Sequence, residues 1–368
     1  MSMIPSRLLA KSLPHGMLEE SAPPSVFLQG HLEECYRAAR VILDATGEDQ
    51  LKALGLSPEK YSQRFRKVVL LSIALHDLGK ANDHFQGIVQ QISGRNGRLQ
   101  GLRHEWVAIL VLGEPRLKEW FSKILGANDT VAMFCAISGH HPGLNRQSPP
   151  REPPHAGEGS EILFYGAHPD FQKYLTWLAS TFKLGTPPTL QNETIRLIGK
   201  DSAFATIRKL FREIDKQWKI FDEEEKRFIA AVKACMLASD VAGSALPKTI
   251  ADGEDRLKWL KDAFSRIPTS EQIGTIVSEG LRDEAGTQRP LRPFQESVAK
   301  NAGEVTFVRA GCGSGKTIAA WNWAYERCPG KRLYFCYPTT GTATEGFRDY
   351  LFDPIGKEGM FGAELFHG

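Results

Sequence analysis

The sequence predicts a mostly helical domain followed by a shorter α/β segment. Apolar residues recur at helical spacing from about residue 30 to residue 265, and no alternating strand pattern interrupts them. The pattern then changes to a β-branched and aromatic run at 305–308, a glycine-rich turn and a new helix from Ile318. We expect an N-terminal segment at 1–24, a helical domain at 25–270, a linker at 271–290 and a partial α/β domain at 291–368.

Histidines and aspartates continue the apolar stripes of the predicted helices. The stripe at 65–73 has His76 as its next member, and the stripe at 228–239 leads to Asp240. Buried ionisable groups are costly unless a partner compensates them. The candidate metal ligands found in this way are His31, His76, Asp77, His104, His140, His141 and Asp240.

The number of these groups favours a metal site over ordinary core histidines. A single histidine on an apolar face is more often a hydrogen-bonded core residue, but seven ionisable groups on five separate helices, two adjacent pairs among them, would be left mostly unpaired without a metal. Imidazole and carboxylate together suit Mn, Fe, Ni or Co. Such a set is large enough for two divalent ions that share one bridging carboxylate, which is typical of phosphodiester hydrolysis.

A second signal lies at 310–317, where Ala-Gly-Cys-Gly-Ser-Gly-Lys-Thr is typical of a nucleotide phosphate loop. A strand pattern precedes it and a helix pattern follows it. The glycines allow backbone N–H groups to surround a phosphate, Lys316 would reach the terminal phosphates and Thr317 would bind Mg²⁺. The predicted binding residues of the loop are Gly313, Ser314, Gly315, Lys316 and Thr317.

Three motifs carry a family resemblance. They are Ala-Leu-His-Asp-Leu-Gly-Lys-Ala at 74–81 with Phe85 and Gln86 after it, Gly-His-His at 139–141, and Ala-Ser-Asp-Val-Ala-Gly-Ser at 238–244. The first resembles the signature of HD-superfamily phosphohydrolases. In this order, the motifs resemble the HD nuclease domain of the CRISPR-associated nuclease-helicases of type I systems. The resemblance implies an α-helical HD-superfamily domain followed by a partial α/β RecA-like domain.

The resemblance also implies roles for the site residues. Asp77 would bridge two transition-metal ions. His31, His76 and Asp240 would complete the shell of one ion, and His104, His140 and His141 that of the other. Lys80 would neutralise phosphate charge as a catalytic residue beside Asp77, although a helix-end lysine that meets the helix dipole explains it equally well.

The C-terminal part resembles the start of a superfamily 2 helicase. Leu-Arg-Pro-Phe-Gln at 291–295 is similar to the helicase Q motif, in which Gln295 would read adenine, and 333–339 is similar to the next strand and motif. ATP and Mg²⁺ are then the expected cofactors of a full-length protein. No acidic segment of the Asp-Glu-x-His type follows the loop, so we expect an N-terminal portion of a longer nuclease-helicase with incomplete ATPase activity.

The function implied by the resemblance is metal-dependent cleavage of single-stranded DNA in antiviral defence. The partners would be single-stranded DNA and the RNA-guided surveillance complex, Cascade, that displaces this strand. Two alternatives stay open: an HD phosphohydrolase acting on nucleotides or cyclic oligonucleotides, and a non-catalytic truncated module that docks on the surveillance complex.

Composition restricts the remaining possibilities. The net charge of the 368-residue chain is only +3, so a DNA-binding surface must be a local patch; the candidates are Arg64, Arg66 and Lys67, and Arg95, Arg98 and Arg103. The six cysteines show no paired spacing, so neither a disulfide framework nor a zinc ribbon is indicated. Without a signal peptide or an apolar run of eighteen residues, we expect a cytoplasmic protein with no membrane partner.

Overall fold

The computed structural model describes residues 4–90, 101–140, 161–283, 285–300, 305–353, 355 and 358–365. The chain divides into two compact units, Met1–Lys261 and Asp262–Gly368. The helices of the first unit are α1 Leu28–Ala53, α2 Pro58–Leu75, α3 Asp83–Val89, α4 His104–Leu112, α5 Pro115–Ser122, α6 Ala127–Ser138, α7 Pro169–Phe182, α8 Ala203–Ile220 and α9 Glu223–Ala245. Helix α10, Gly253–Ser265, runs across the division.

The core of the first unit forms where α1, α2, α6 and α9 pack together. Helix α1 packs against α2 and α9, and α6 packs against the same two helices. The buried side chains of α1 repeat every three or four residues, so one face of this 26-residue helix is turned inward. Leu32, Cys35 and Ala39 on that face are fully buried, as are Phe228 and Val232 on α9. The helical domain expected from the apolar periodicity is therefore present.

Local sequence signals explain where the two longest partners of α1 begin. Helix α2 starts at Pro58, after Ser57, whose hydroxyl accepts a hydrogen bond from the backbone N–H of Lys60. Helix α9 starts after Asp222, whose carboxylate accepts from the backbone N–H of Glu225. Three glutamates fill the first turn of α9, where negative charge is favoured by the helix dipole.

A short antiparallel sheet in the first unit was not expected from the sequence. Strands β1 Glu161–Tyr165 and β2 Asn192–Arg196 pair with Leu163 opposite Thr194. Strand β1 also holds the chain that follows the His-Asp motif, because the backbone N–H of Tyr165 donates to the carbonyl of Ala81 at 2.9 Å. The expectation of a helical domain without strands at 25–270 was wrong at this point.

The second unit contains α11 Ser270–Gly280, α12 Pro293–Lys300, α13 Lys316–Arg327, α14 Thr340–Tyr350 and a minimal pair of strands, β3 Phe352–Asp353 and β4 Glu358–Gly359. Its core joins α11 to α13 through Ile273, Ile276, Val277, Ile318, Trp321 and Ala324. The segment 271–290, expected to be a linker, thus contributes a packed helix to this unit. Its apolar residues at helical spacing explain that packing.

The strands predicted before and after the phosphate loop do not form among the described residues. Residues 305–310 and 331–337 carry no strand or helix assignment, and the side chains of Val305 and Phe307 are each 90% exposed. A strand needs a hydrogen-bonded neighbour, and the described part of the second unit supplies none to these segments. A RecA-like sheet therefore stays a prediction.

One described helix is long and apolar enough to cross a membrane by length and composition. It comprises Glu223–Lys248, which is α9 and the turn that follows. Helix α9 packs against α1, α2 and α6, and its buried apolar side chains belong to that core. The core of a soluble protein passes the same test.

Candidate metal centre

The His-Asp motif occupies the end of α2 and the turn that follows. His76 immediately follows the last residue of α2, Asp77 comes next, and a short 3-10 helix, Leu78–Lys80, closes the turn. The hydroxyl of Tyr174 donates to the carbonyl of Ala74 at 2.6 Å, which satisfies a carbonyl left open at the helix end. This hydrogen bond from Tyr174 of α7 thereby fixes the position of the turn.

Gly79 allows α4 to lie directly against this turn. A Cβ atom at Gly79 would lie 1.9 Å from the carbonyl oxygen of His104 and 2.4 Å from the backbone nitrogen of Ala108. Only glycine permits this approach. The close contact brings His104, the first residue of α4, to the side of Asp77.

Five elements converge on Asp77. His76 and Asp77 follow α2, His31 lies in the first turn of α1, His104 begins α4, His140 follows α6, and Asp240 lies in the last two turns of α9. The three histidines and His76 are each 7% exposed or less, and Asp77 is 2% exposed. The structure therefore brings together six of the seven predicted ligands. His141 lies outside the described residues.

The two oxygens of Asp77 face different groups of histidines. Oδ2 lies 2.9 Å from Nε2 of His31 and 3.2 Å from Nε2 of His76. Oδ1 lies 3.1 Å from Nε2 of His104 and 3.6 Å from Nε2 of His140. One carboxylate thus joins two histidine sets.

Asp240 and Lys80 complete the Oδ2 side. Oδ1 of Asp240 lies 3.3 Å from Nε2 of His76, and Nζ of Lys80 lies 2.5 Å from Oδ2 of Asp77. The side chains of Asp240 and Lys80 are 19% and 12% exposed, whereas those of Asp77 and the four histidines are at most 9% exposed. The cluster is therefore most open to solvent at Asp240 and Lys80.

The hydrogen bonds of His76 show that a cation fits this cluster. Nδ1 of His76 donates to the carbonyl of Ile73 at 2.7 Å, so this nitrogen carries the proton. In the neutral ring, Nε2 is then a lone-pair acceptor that faces two carboxylates, Asp77 and Asp240, which also only accept. Nε2 lies 3.2 Å from Oδ2 of Asp77 and 3.3 Å from Oδ1 of Asp240. At these distances an acceptor repels the two carboxylate oxygens unless a proton or a metal ion lies between them.

His140 repeats the same arrangement on the other side of the carboxylate. Its Nδ1 donates to the carbonyl of Ile137 at 2.7 Å, which directs Nε2 toward Oδ1 of Asp77. A backbone carbonyl that fixes the second ring nitrogen is the usual support of a histidine that binds metal. The donor set, imidazole with carboxylate, suits divalent transition metals. The side-chain cluster could therefore hold a metal ion.

Burial and charge act in opposite directions on the ionisable groups of the cluster. Burial lowers the pKa of His31 to about 4 and also lowers that of His104. Burial would likewise lower the pKa of His76, but the carboxylates of Asp77 and Asp240 outweigh it and raise the pKa to about 10. Burial would raise the pKa of Asp77, yet His76 and Lys80 hold it well below its usual range. The cluster is thus built to keep its carboxylates ionised.

Two neighbours of the cluster, Cys35 and Ser244, are not among the site residues predicted from the sequence. Sγ of Cys35 lies 3.7 Å from Nδ1 of His31 and 3.9 Å from Oδ1 of Asp240, and burial raises its pKa well above the usual range. Its spacing of four residues from His31 on one helix face was the available signal. The hydroxyl of Ser244 donates to Oδ1 of Asp240 at 3.1 Å, again one helical turn away.

The basic patches proposed for DNA are mostly engaged in ion pairs or lie outside the described residues. Arg64 pairs with Asp129 and Glu225, and Lys67 also pairs with Asp129. Arg103 pairs with Glu105, a fully buried carboxylate beside His104. The other arginines of the second patch, at 95 and 98, fall outside the described residues.

The predicted nucleotide site of the second unit is a glycine-rich turn that leads into α13. Gly313 and Gly315 have positive φ angles of 70° and 87°, and Gly315 leads directly into α13. Nζ of Lys316 donates to the carbonyl of Gly311 at 2.6 Å and to that of Ala310 at 3.1 Å. Ser314 likewise donates to Gly311. The side chains of Lys316 and Ser314 therefore donate to backbone carbonyls of the loop itself.

Gln295 is placed beneath this loop. Its side chain is buried, with Nε2 donating to the carbonyl of Gly315 at 3.0 Å and Oε1 accepting from the backbone N–H of Arg292 at 2.7 Å. Thr317 stands in the first turn of α13. Adenine recognition by Gln295, phosphate binding by the loop and Mg²⁺ binding by Thr317 stay predictions.

Comparison with known protein families identifies the first unit. The family model described as Cas3, HD domain, matches residues 15–219, more than half of the chain. The chain belongs to the Cas3 HD-domain family. The match includes α1 to α8 with His31, the His-Asp motif, His104 and His140, and it ends before α9, so Asp240 joins the cluster from outside the matched range.

Two curated relatives share the Cas3 name. The putative CRISPR-associated nuclease/helicase Cas3 of Myxococcus xanthus is 35% identical over 356 residues, which cover 94% of this chain and 44% of the relative. The CRISPR-associated nuclease/helicase Cas3 subtype I-F/YPEST of Pectobacterium atrosepticum is 26% identical over 156 residues, which cover 40% of this chain and 14% of the relative. The chain thus spans less than half of either relative. No solved structure matched it.

Proposed function

We propose that this chain is a metal-dependent nuclease that cleaves single-stranded DNA in a type I CRISPR interference system. The observation that carries the proposal is the division of histidines between the two oxygens of Asp77, with His31 and His76 at Oδ2 and His104 and His140 at Oδ1. A carboxylate that reaches two separate ligand groups is the arrangement that a two-ion site requires. Membership of the Cas3 HD-domain family supports the nuclease activity.

The proposed ligands divide along the same line. His31, His76 and Asp240 would hold one ion, His104 and His140 the other together with His141, and Asp77 would bridge the two. When bound, two divalent ions activate a water and stabilise the attacking and leaving oxygens of a phosphodiester. Iron, manganese, nickel and cobalt all suit these ligands.

The side chains of this protein hold the site in position and admit the substrate. The carbonyls of Ile73 and Ile137 orient the rings of His76 and His140 before any substrate arrives. Lys80, beside Asp77 and partly exposed, would donate to a nonbridging phosphate oxygen and neutralise its charge. The solvent access at Lys80 and Asp240 is the side from which we expect a strand to enter.

The wider role follows from the same proposal. In this account the chain works in the cytoplasm as the N-terminal part of a nuclease-helicase, and the RNA-guided surveillance complex Cascade recruits it to the displaced DNA strand. In the longer protein, ATP and Mg²⁺ would bind at Gly313–Thr317. Support for this role comes from the names of the two relatives, both nuclease/helicases associated with CRISPR.

A circular single-stranded DNA substrate tests the nuclease directly. We expect the purified chain, stripped with chelator and resupplied with Mn²⁺, Ni²⁺ or Co²⁺, to linearise and then degrade the circle. The variants His76→Ala, Asp77→Ala and Asp240→Ala should lose this activity while far-UV circular dichroism shows their helices retained. Asp215→Ala, which removes an exposed carboxylate on α8, is the matched control and should cut like the wild type.

Other substrates in the same assay separate the alternatives. Hydrolysis of deoxynucleoside triphosphates or cyclic oligonucleotides, with the DNA circle left intact, would replace the nuclease with an HD phosphohydrolase. A chain that binds metal and DNA and cuts nothing would instead be a docking module.

A further inference from the structure

A lysine near the N-terminus reaches the open side of the metal centre. Nζ of Lys11 donates to the carbonyl of Ser244 at 3.1 Å, and the hydroxyl of Ser244 donates to Oδ1 of Asp240. Asp240 is the most exposed of the clustered carboxylates. Ser244 therefore links Lys11 to the predicted metal ligand Asp240, on the side of the cluster that is most open to solvent. It also precedes the residues that the family model matches.

The backbone that carries Lys11 is held firmly beside Lys80. The backbone N–H of Ala10 donates to the carbonyl of Val26 at 2.8 Å. The buried amide of Gln86 donates both to the carbonyl of Leu9 and to that of Lys80, and accepts from the N–H of Leu9. One side chain thus ties the Lys11 segment to the end of the His-Asp motif. This tie explains how a residue from the N-terminal segment comes to the site.

Two other ammonium groups, those of Lys80 and Lys248, lie near Lys11. Burial lowers the pKa of Lys11, and the nearby ammonium groups of Lys80 and Lys248 lower it further, while Cys35 and Asp240 act in the opposite direction. Lysines placed close together repel one another unless an anion lies between them. The ammonium groups of Lys11, Lys80 and Lys248 would therefore attract an anion to this side of the cluster, with or without bound metal ions.

Lys11 has donors left for that anion. An ammonium group carries three N–H donors. Among the described residues, the carbonyl of Ser244 is the one hydrogen-bond acceptor that Lys11 reaches. A phosphate oxygen at the open side would take a second donor and relieve the repulsion with Lys80.

We propose that Lys11 forms a phosphate subsite at the open side of the metal centre, where it binds the backbone phosphate next to the one that is cleaved. This inference rests on the proposed nuclease function, because it assigns a position on the strand to that same site. Lys80 faces the scissile phosphate and Lys11 its neighbour. The recognised chemistry is a nonbridging phosphate oxygen of the strand, so binding depends on charge and not on base sequence.

The competing structural role is a helix cap. The carbonyl of Ser244 belongs to the last turn of α9, and a lysine that donates there stabilises the helix end without any ligand. The two roles differ in a measurable way. A cap contributes to the stability of folding, whereas a phosphate contact contributes to the dependence of DNA binding on salt.

Binding of a fluorescein-labelled single-stranded oligonucleotide, measured by anisotropy in chelator across a range of sodium chloride concentrations, tests the proposal. Each phosphate contact with a single strand contributes about 0.7 to the slope of log K against log salt. Lys11→Met and Lys11→Gln should reduce that slope by about 0.7 and weaken binding roughly tenfold at low salt. Lys11→Arg should restore both. Lys52→Met, at an exposed position of α1 far along the helix, is the control and should match the wild type.

Thermal unfolding of the same variants separates the subsite from the cap. Lys11→Gln keeps a donor for the carbonyl of Ser244 and removes the charge, so it should retain stability and still lose the salt slope. Variants that are less stable and yet bind DNA with the wild-type slope would overturn the proposal and leave a cap. Wild-type cleavage of DNA with unchanged binding in both variants would overturn the subsite alone. A wild-type chain that neither binds nor cuts the strand would overturn the nuclease as well.

Discussion

Nε2 of His104 lies 3.1 Å from Oδ1 of Asp77, and this contact uses the carboxylate oxygen that His31 does not reach. The contact depends on the position of α4, which Gly79 admits close to the turn after α2. The two oxygens of one carboxylate therefore serve two groups of histidines that come from different helices.

Loss of a histidine on one side should affect one ion more than the other. We expect His104→Ala to retain one tightly held transition-metal ion, because His31, His76 and Asp240 still surround Oδ2 of Asp77. His31→Ala should instead weaken the ion on the Oδ2 side, which His104→Ala retains. Elemental analysis after dialysis measures both. Equal loss of both ions in each single variant would contradict two separate ligand groups.

Gly79 should tolerate no side chain. We expect Gly79→Ala to lower the free energy of unfolding by about 3 kcal/mol, because its Cβ would overlap the backbone of α4. The displaced His104 should also lower metal content. Gly126→Ala is the control, since no atom lies within 4 Å of its Cβ, and it should cost less than about 1 kcal/mol. Urea unfolding with retained wild-type stability in Gly79→Ala would show that α4 does not pack as described.

Arg64 should contribute to stability far more than its neighbour Arg66. Arg64 joins three core helices through Asp129 at 2.6 Å and Glu225, both of which are buried. Arg64→Met should cost about 3 kcal/mol, because it leaves the buried carboxylate of Glu225 without its partner, while Asp129 keeps only its ion pair with Lys67. Arg66 pairs with the exposed Asp44, so Arg66→Met should cost less than about 1 kcal/mol. Similar urea midpoints for the two variants would contradict this difference.

The nuclease of this chain should not respond to ATP. The predicted nucleotide residues lie in the second unit, and the sequence after Lys316 supplies no Asp-Glu-x-His segment to support hydrolysis. We expect residues 1–368 to show no DNA-stimulated phosphate release, and Lys316→Ala to cut free single strands like the wild type. DNA-stimulated ATP hydrolysis by the wild type that is lost in Lys316→Ala would show that the ATPase site is complete without that segment.

Helical periodicity in the sequence was sufficient to predict that His76 and Asp240 lie on the inward faces of their helices. His76 and Asp240 each continue an apolar stripe, and both stripes are buried as expected. Periodicity cannot show which stripes meet in space. The contact between Lys11 and Ser244 joins residues 233 positions apart, and no local pattern marks it. The same limit applies to Cys35, whose contact with Asp240 joins residues 205 positions apart.

Strands were harder to predict because their formation depends on partners. The run at Glu161–Tyr165 forms a strand because Asn192–Arg196 lies beside it. The equally β-prone run that contains Val305 and Phe307 stays unpaired among the described residues. The β-branched and aromatic composition favours a strand in both segments. Only the first segment has a neighbouring strand with which to form hydrogen bonds among the described residues.

The stoichiometry of metal in Asp77→Ala tests the central claim most directly. The purified wild-type chain, equilibrated with Mn²⁺ or Co²⁺ and dialysed, should contain close to two ions by elemental analysis. Because both oxygens of Asp77 serve as the link between the histidine groups, Asp77→Ala should lose both ions, and more readily than His31→Ala does. An Asp77→Ala variant that keeps two ions, or a wild-type chain that is fully active in chelator without any metal, would contradict the account.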